Sequence, residues 1–260
     1  MTGKREVIVV ADADALATTA AERLLARLPP PAMPPPLPSP ASGGGVKRAA
    51  VALTGGSSPE GLYRLLAQEP YRSRLPWERV HWFIGDDRFV PPDDPLSNMG
   101  MARRLFLDRV KAPPANIHPM ATTAESPEAA AQLYESELKH FYGAERLDRA
   151  RPLFDLVLMG LGSDGHTASL FPGAPALDER ERWVVGVEKA HLAPFVPRVT
   201  LTFPALASTR EMLFLVSGQD KRDILARVLA GDDLPAARAH ADGELVWLVD
   251  RAAFPGRSAA

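Results

Sequence analysis

The residue best suited to acid–base chemistry at neutral pH is a histidine in a glycine-rich loop. His166 lies within Gly160–Thr167 (GLGSDGHT), directly after the apolar run Phe154–Met159. Imidazole titrates near neutrality, so it can take a proton from water and return it to a leaving group. Asp164 could orient the ring or hold its charged form. We predict His166 as a general base with Asp164 as its partner. The other histidines are expected to be structural: His81, His118, His140, His191 and His240.

The glycines of this loop also match the dinucleotide-binding pattern G-x-G-x-x-G, over Gly160–Gly165. That fingerprint needs a helix directly after its third glycine and an acidic residue further on, where Glu188 would stand. Pro172 and Pro175 interrupt the stretch that should form the helix. A nicotinamide-dependent dehydrogenase is therefore a disfavoured alternative.

A second glycine loop, Leu53–Pro59 (LTGGSSP), separates a predicted strand from a predicted helix. Paired glycines let the backbone approach a ligand, and a helix N-terminus presents free N–H groups and a partial positive charge. We predict that Gly55, Gly56 and Ser57 bind phosphate; a tight turn with an ordinary helix cap is the alternative. Leu62-Tyr63 stands where a P-loop needs Lys and Ser/Thr, which disfavours an NTPase.

Two carboxylates and an arginine follow another predicted strand, in Gly85–Val90 (GDDRFV). Asp86 could position a polyol and Arg88 could pair with an anion, although a solvated charged turn is also consistent with the pattern. Asp93 and Asp94 lie close by, but their spacing matches no known metal-binding loop. We predict no metal.

Several hydrolytic arrangements are missing from the sequence. The chain has no cysteine, which excludes a thiolate nucleophile, a disulfide framework and a Cys-ligated zinc. Neither G-x-S-x-G nor H-E-x-x-H occurs. A hydrolase with this sequence would need direct attack by water, assisted by a general base.

Alternating apolar and helical patterns define the elements that must position these loops. Strands are predicted at Glu6–Val10, Arg48–Leu53, Arg79–Ile84, Phe154–Met159, Trp183–Val187, Arg198–Phe203, Met212–Val216 and Leu245–Val249. Helices are predicted at Asp14–Leu28, Pro59–Gln68 (capped by Ser57 or Ser58), Ser97–Asp108 (capped by Ser97 or Asn98), Ser126–Tyr142 and Gln219–Leu229. This alternation predicts an α/β fold with a mostly parallel sheet flanked by helices, whose ligands sit at the carboxyl ends of the strands.

Composition bounds the remaining possibilities. The 260 residues carry a formal net charge of −2, which gives no argument for nucleic acid or an anionic membrane as a partner. No run approaches the roughly 18 apolar residues of a membrane span, and we expect a cytoplasmic protein. We expect one α/β domain over residues 1–260, with a proline-rich loop insertion at 29–45.

Taken together, the loops resemble the 6-phosphogluconolactonase family. The matching segments are Thr54–Ser57 (TGGS), Gly85–Val90 with Ser97-Asn98, Gly160–Pro172 (GLGSDGHTASLFP), Arg198–Thr202 and Gly218–Lys221. The third is the most specific, because its tail Thr167–Pro172 distinguishes it from generic glycine loops.

The resemblance implies hydrolysis of 6-phospho-D-glucono-1,5-lactone to 6-phospho-D-gluconate in the oxidative pentose phosphate pathway. It implies a three-layer Rossmann-like fold and no required metal or organic cofactor. The expected partner is the small sugar-phosphate lactone, and the expected assembly is a monomer or small homo-oligomer. Arg198 and Lys221 become charge partners for the phosphate, and Asp86, Asn98 and Gly162 join the binding residues. Arg88 would bind phosphate or stabilise the oxyanion.

The sequence departs from the family pattern in three places, and two alternative functions on a related fold stay open. Asp87 replaces a usual glutamate, and this shorter side chain is expected to alter how Arg88 is held. Ser58 replaces a usual threonine, and the proline-rich insertion lies outside the pattern. A glucosamine-6-phosphate deaminase would carry a catalytic glutamate near the end of Ser169–Pro172, which here has no carboxylate. A non-catalytic sugar-phosphate sensor would need a DNA-binding module, and no basic helix-turn-helix pattern precedes Glu6 or follows Asp250.

Overall fold

The computed structural model describes residues 5–30, 48–190 and 192–256, so His191 and most of the proline-rich segment lie outside the described residues. Within these ranges the strands are β1 (Arg5–Val10), β2 (Ala49–Leu53), β3 (Val80–Ile84), β4 (Asp86–Arg88), β5 (Leu156–Met159), β6 (Val184–Val187), β7 (Arg198–Leu201), β8 (Glu211–Val216) and β9 (Glu244–Asp250). The α-helices are α1 (Ala13–Arg27), α2 (Glu60–Leu66), α3 (Tyr71–Arg74), α4 (Asn98–Leu105), α5 (Pro127–Tyr142), α6 (Phe203–Ala207), α7 (Arg222–Ala230) and α8 (Pro235–Arg238).

A six-stranded parallel sheet forms the centre of the molecule, in the order β1-β9-β8-β5-β2-β3. Strands β2, β5 and β8 are buried along their whole length. Continuous apolar runs of this kind suit a parallel sheet covered on both faces. The predicted α/β fold with a mostly parallel sheet flanked by helices is confirmed.

Side-chain caps in the sequence fix where two of the helices that cover the sheet begin. The carboxylate of Asp12 accepts a hydrogen bond of 2.9 Å from the Ala15 amide and caps α1, which buries Leu16 and Leu24. Ser126 caps helix α5, and its side chain accepts a hydrogen bond from the Ala129 amide at 3.1 Å. Among the described residues, no helix is long and apolar enough to cross a membrane.

A second, three-stranded antiparallel sheet in the order β4-β7-β6 was not predicted. We predicted Gly85–Val90 as a loop, but Asp86–Arg88 forms β4 and pairs with β7. Three charged residues give no hydrophobic alternation, so the sequence carries no strand signal there. The predicted strand Arg198–Phe203 is too long, since β7 ends at Leu201 and Phe203 opens α6.

The start of α2 also differs from the prediction. Its N-cap residue is Pro59, and neither Ser57 nor Ser58 caps the helix through its side chain. Instead the Ser57 carbonyl accepts from the Glu60 amide at 3.2 Å, which tightens the turn and delays the helix. The predicted helix Gln219–Leu229 begins as a 3₁₀ turn and becomes α-helical at Arg222.

Candidate active site

The loops that follow β2, β3 and β5 meet at one edge of the large sheet, where they enclose a cleft of about 230 Å³. Every predicted site residue except Asp164 lines this cleft: Gly55, Gly56, Ser57, Asp86, Arg88, Asn98, Gly162, His166, Arg198 and Lys221. The position agrees with the rule that ligands of open α/β sheets bind beyond the carboxyl ends of strands.

His166 and Asp164 form a hydrogen-bonded pair at the wall of the cleft. Nδ1 of His166 lies 2.5 Å from Oδ1 of Asp164, and the His166 amide donates to the same oxygen at 3.0 Å. Partial burial raises the pKa of Asp164, but the hydrogen bonds from His166 outweigh it and hold that pKa below its usual value. The aspartate is therefore ionised at neutral pH and accepts only, so Nδ1 carries the proton and Nε2 is the basic nitrogen.

The position of the His166 ring requires glycine at residue 162. A Cβ on Gly162 would lie 2.0 Å from Nδ1 of His166, closer than any real contact. Phe171 packs on the other side, with its ring centroid 4.7 Å from that of the imidazole. The second glycine of the apparent dinucleotide fingerprint thus makes room for a side chain. No helix directly follows Gly165, since residues 166–174 form short turns and an isolated bridge between Thr167 and Leu170.

Asp87 anchors the start of α4. Its buried carboxylate accepts from the amides of Arg88 (2.8 Å), Asn98 (2.7 Å) and Met99 (3.1 Å) and from the Ser97 hydroxyl (3.2 Å). Burial raises the pKa of Asp87 to about 6, although the backbone N–H groups act in the opposite direction. We expected Asp87 to influence how the Arg88 side chain is held, but the hydrogen bonds that it accepts come from the Arg88 backbone and from the first turn of α4.

Asn98 connects this helix start to the glycine loop and to Asp86. Its side-chain amide donates to the Asp86 carbonyl at 2.9 Å. A Cβ on Gly55 would lie 2.0 Å from Oδ1 of Asn98, so only glycine permits this approach. Ser97 caps α4 by accepting from the Gly100 amide at 2.9 Å, which confirms one of the two caps predicted for this helix.

Two arginines lie side by side in the cleft. Arg88 and Arg198 are register partners on β4 and β7. Backbone carbonyls hold both: Arg88 donates to Leu96 at 2.7 Å, and Arg198 donates to Val196 at 3.1 Å and to Pro194 at 2.8 Å. Burial lowers the pKa of Arg198, and the charge of Arg88 lowers it further.

The remaining predicted phosphate ligands lie in the same cleft. Gly56 adopts φ +89°, which turns the backbone in a way that L side chains rarely adopt. Lys221 follows β8, and its Nζ lies 3.6 Å from the exposed carboxylate of Asp220. Among the described residues, no group of three or more His, Asp or Glu side chains could hold a metal ion.

Sequence reasoning missed several residues of the site. Thr167 donates from its hydroxyl to the Gly160 carbonyl at 2.9 Å and closes the loop around His166. Leu192 lines the cleft, and Ser169 contacts Asp86 from behind it. The signal for Thr167 and Ser169 was their place in the most specific sequence segment, whereas Leu192 has no sequence signal.

Fold and cleft together define a Rossmann-like α/β protein with a cleft at the carboxyl edge of its sheet, lined by Arg88, Arg198 and Lys221. The family described as "Glucosamine-6-phosphate isomerases/6-phosphogluconolactonase" matches residues 11–247, and the chain belongs to this family.

Relatives and solved structures agree with this assignment. A 6-phosphogluconolactonase of a Synechocystis species is 44% identical over 211 residues, which cover 79% of this chain and 83% of the relative. A 6-phosphogluconolactonase of Streptomyces coelicolor is 36% identical and covers 97% of this chain and 95% of its own. The crystal structure of 6-phosphogluconolactonase from Thermotoga maritima matches with a TM-score of 0.75 at 29% identity, over 95% of this chain and 100% of that chain.

A monomeric glucosamine-6-phosphate deaminase has the same fold. It matches with a TM-score of 0.75 at 20% identity, over 95% of this chain and 98% of that chain. At this level of identity the likeness concerns the fold alone. The side chains in the cleft, and not the fold, distinguish the two activities of the family.

Proposed function

We propose that this protein hydrolyses 6-phospho-D-glucono-1,5-lactone to 6-phospho-D-gluconate. Relatives that span most of this chain bear the name 6-phosphogluconolactonase. The observation that carries the proposal is the His166–Asp164 pair in a cleft that also holds two arginines. A base beside an anion site fits a lactone that carries a phosphate group.

In the proposed mechanism, Nε2 of His166 takes a proton from a water molecule as its oxygen attacks the lactone carbonyl carbon. Asp164 holds the imidazole in the required tautomer and stabilises the imidazolium that forms, because its carboxylate faces Nδ1 at 2.5 Å. A positioned general base of this kind contributes roughly 10²–10⁴-fold to rate.

The tetrahedral intermediate then collapses. The bond between the carbonyl carbon and the ring oxygen breaks, and the imidazolium returns its proton to that oxygen, which becomes a hydroxyl group. The new carboxylic acid loses its proton to solvent, so each turnover releases acid. His166 ends the cycle neutral and ready for another water.

The cationic wall of the cleft is the proposed phosphate site. Arg88 and Arg198 are opposite each other on β4 and β7 and both line the cleft, and guanidinium groups suit the several oxygens of a phosphate. Lys221 adds a third cation, and Gly55–Ser57 line the same cleft, where their backbone N–H groups would donate to the phosphate. On this reading Arg88 belongs to phosphate binding, whereas the alternative role, stabilisation of the oxyanion, would concern the other end of the substrate.

A direct test is to feed the product of glucose-6-phosphate dehydrogenase to the protein and follow acid release, with spontaneous lactone opening subtracted. Wild type should accelerate hydrolysis, and His166→Ala should lose at least about 100-fold in kcat. His240→Ala removes an exposed histidine outside the cleft and serves as the control. Near wild-type turnover of His166→Ala would refute the assigned base.

The same preparation discriminates between the two chemistries of the family. A deaminase would release ammonia from glucosamine-6-phosphate, and we expect none. Residues 167–172 contain no carboxylate.

The proposed reaction belongs to the oxidative pentose phosphate pathway, and we place it in the cytoplasm, since a chain without cysteine suits a reducing compartment.

A further inference from the structure

A buried hydroxyl behind the cleft has no part in the mechanism above. Ser169 is completely buried, at 0% exposure, and its Oγ donates a hydrogen bond of 2.7 Å to Oδ2 of Asp86. Asp86 is only 5% exposed, yet it lines the cleft. Within the described part of the chain, no hydrogen bond reaches Oδ1 of Asp86. The serine therefore occupies one carboxylate oxygen and leaves the other for a ligand.

The backbone of Ser169 is also fixed. Its amide donates to Oγ1 of Thr200 at 3.2 Å, and the Thr200 hydroxyl in turn donates to the Leu201 carbonyl at 3.0 Å. Thr200 is at the same time the register partner of Asp86 across β4 and β7. Ser169, Asp86 and Thr200 are thus buried and linked to one another. The Asp86 carboxylate cannot rotate without breaking its hydrogen bond to Ser169.

A strained turn delivers Ser169 to this position. The Leu170 amide donates to the Thr167 carbonyl at 3.0 Å, which closes a turn over residues 167–170. Inside it, Ala168 adopts φ +49°, and it is the only residue other than glycine in the described ranges with a positive φ. Strain of this kind persists where surrounding contacts over-determine the backbone, and it clusters at ligand sites.

We infer that Ser169 is a positioning residue, which holds the Asp86 carboxylate so that Oδ1 accepts a hydrogen bond from a hydroxyl group of the sugar. The inference rests on the proposed function, because it needs a polyol in the cleft. A hydroxyl that donates to a carboxylate makes a strong, charge-assisted hydrogen bond. Fixing the carboxylate beforehand removes the entropy cost of ordering it on binding.

The test compares Ser169→Ala with a matched buried serine. Ser208 is 1% exposed and accepts from the Leu153 amide at 3.0 Å, outside the cleft. Ser169→Ala should raise KM for the lactone, and the Kd of 6-phosphogluconate in calorimetry, by roughly 10-fold, with kcat within about 3-fold of wild type. Ser208→Ala should leave KM and Kd unchanged, even though both variants lose stability.

A double-mutant cycle shows whether Ser169 acts through Asp86. In an Asp86→Ala background, Ser169→Ala should change KM by less than about 2-fold, because no carboxylate is left to position. Fully additive effects, or a Ser169→Ala KM equal to that of wild type, would overturn the inference alone. Failure of the wild type to hydrolyse the lactone would overturn the proposed function and this inference with it.

Discussion

Arg88 and Arg198 stand directly opposite each other on the antiparallel strands β4 and β7. Like charges in this position repel and destabilise a sheet, and an anion bound between or above the two side chains would offset this repulsion. Nε of Arg88 is buried without a hydrogen-bond partner among the described residues, so the side chain keeps donor capacity beyond its contact with Leu96. Both arginines line the cleft, which supports the proposed phosphate site there.

The first prediction concerns this pair. Arg88→Lys keeps the charge but removes the planar donor set, so we expect KM for the lactone to rise roughly 10-fold with kcat nearly unchanged. Arg198→Lys should behave in the same way, and inorganic phosphate should inhibit wild type competitively. Steady-state kinetics of acid release measures both constants. A fall in kcat at constant KM for Arg88→Lys would instead assign this side chain to the oxyanion.

The pairing of His166 with Asp164 was easier to predict from the sequence than the arrangement of the arginines. This pair could be predicted because His166 and Asp164 lie two residues apart in one loop, so local spacing already brings them together. The pairing of Arg88 with Arg198 could not be predicted from the sequence. It depends on the register between two strands whose paired residues are 110 positions apart, and β4 has no hydrophobic pattern. The large sheet was predictable, because its strands are apolar runs that only a covered sheet can bury.

The glycines likewise show the difference between what local sequence spacing predicts and what only the structure shows. Spacing alone made Gly162 look like part of a nucleotide-binding fingerprint, and only the structure shows that it gives space to the His166 ring. The structure likewise changes the interpretation of Asp87, whose carboxylate anchors α4 through backbone amides distant in sequence. Such contacts follow from tertiary packing, which no local pattern encodes.

The second prediction tests the space beside the histidine. In Gly162→Ala the new methyl group would lie 2.0 Å from Nδ1 of His166, so the ring must move and its contact with Asp164 must loosen. We expect kcat to fall at least about 10-fold, because small displacements of a catalytic group are costly. Gly143→Ala, at the C-cap of α5 and away from the cleft, should lose stability through its φ of +75° but keep kcat. Equal kcat values for the two variants would contradict the prediction.

The third prediction concerns pH and stability away from the cleft. Nδ1 of His81 lies 2.9 Å from Nε2 of His118, whose Nδ1 lies 2.6 Å from a carboxylate oxygen of Glu137. Burial, together with the neighbouring charges of His118 and Arg48, lowers the pKa of His81 to about 4. Between pH 6.5 and pH 4 the unfolded chain takes up a proton that the folded protein excludes, so stability falls as the pH decreases through this window.

Urea unfolding at several pH values measures the effect. The contribution of His81 approaches about 1.4 kcal/mol per pH unit within that window. His81→Phe cannot titrate and keeps a ring against Phe141, so its stability should fall less steeply with acid. Identical slopes for wild type and variant would show that His81 titrates alike in the folded and unfolded states.

The fourth prediction concerns the strained turn beside the histidine. Ala168 at φ +49° is in a conformation that disfavours any residue with a Cβ, whereas glycine adopts it freely. Ala168→Gly should therefore raise the free energy of unfolding by about 0.5–1 kcal/mol, even after the larger chain entropy of glycine in the unfolded state is counted. Ala168→Val should lower the free energy of unfolding, because a β-branched side chain fits this region worst.

The same turn links stability to activity. The more mobile turn in Ala168→Gly holds Ser169 less firmly, so kcat/KM should fall although the protein is more stable. Chemical denaturation and kinetics on the same samples test both signs, and a glycine variant that is less stable than wild type would show that the turn stores no strain.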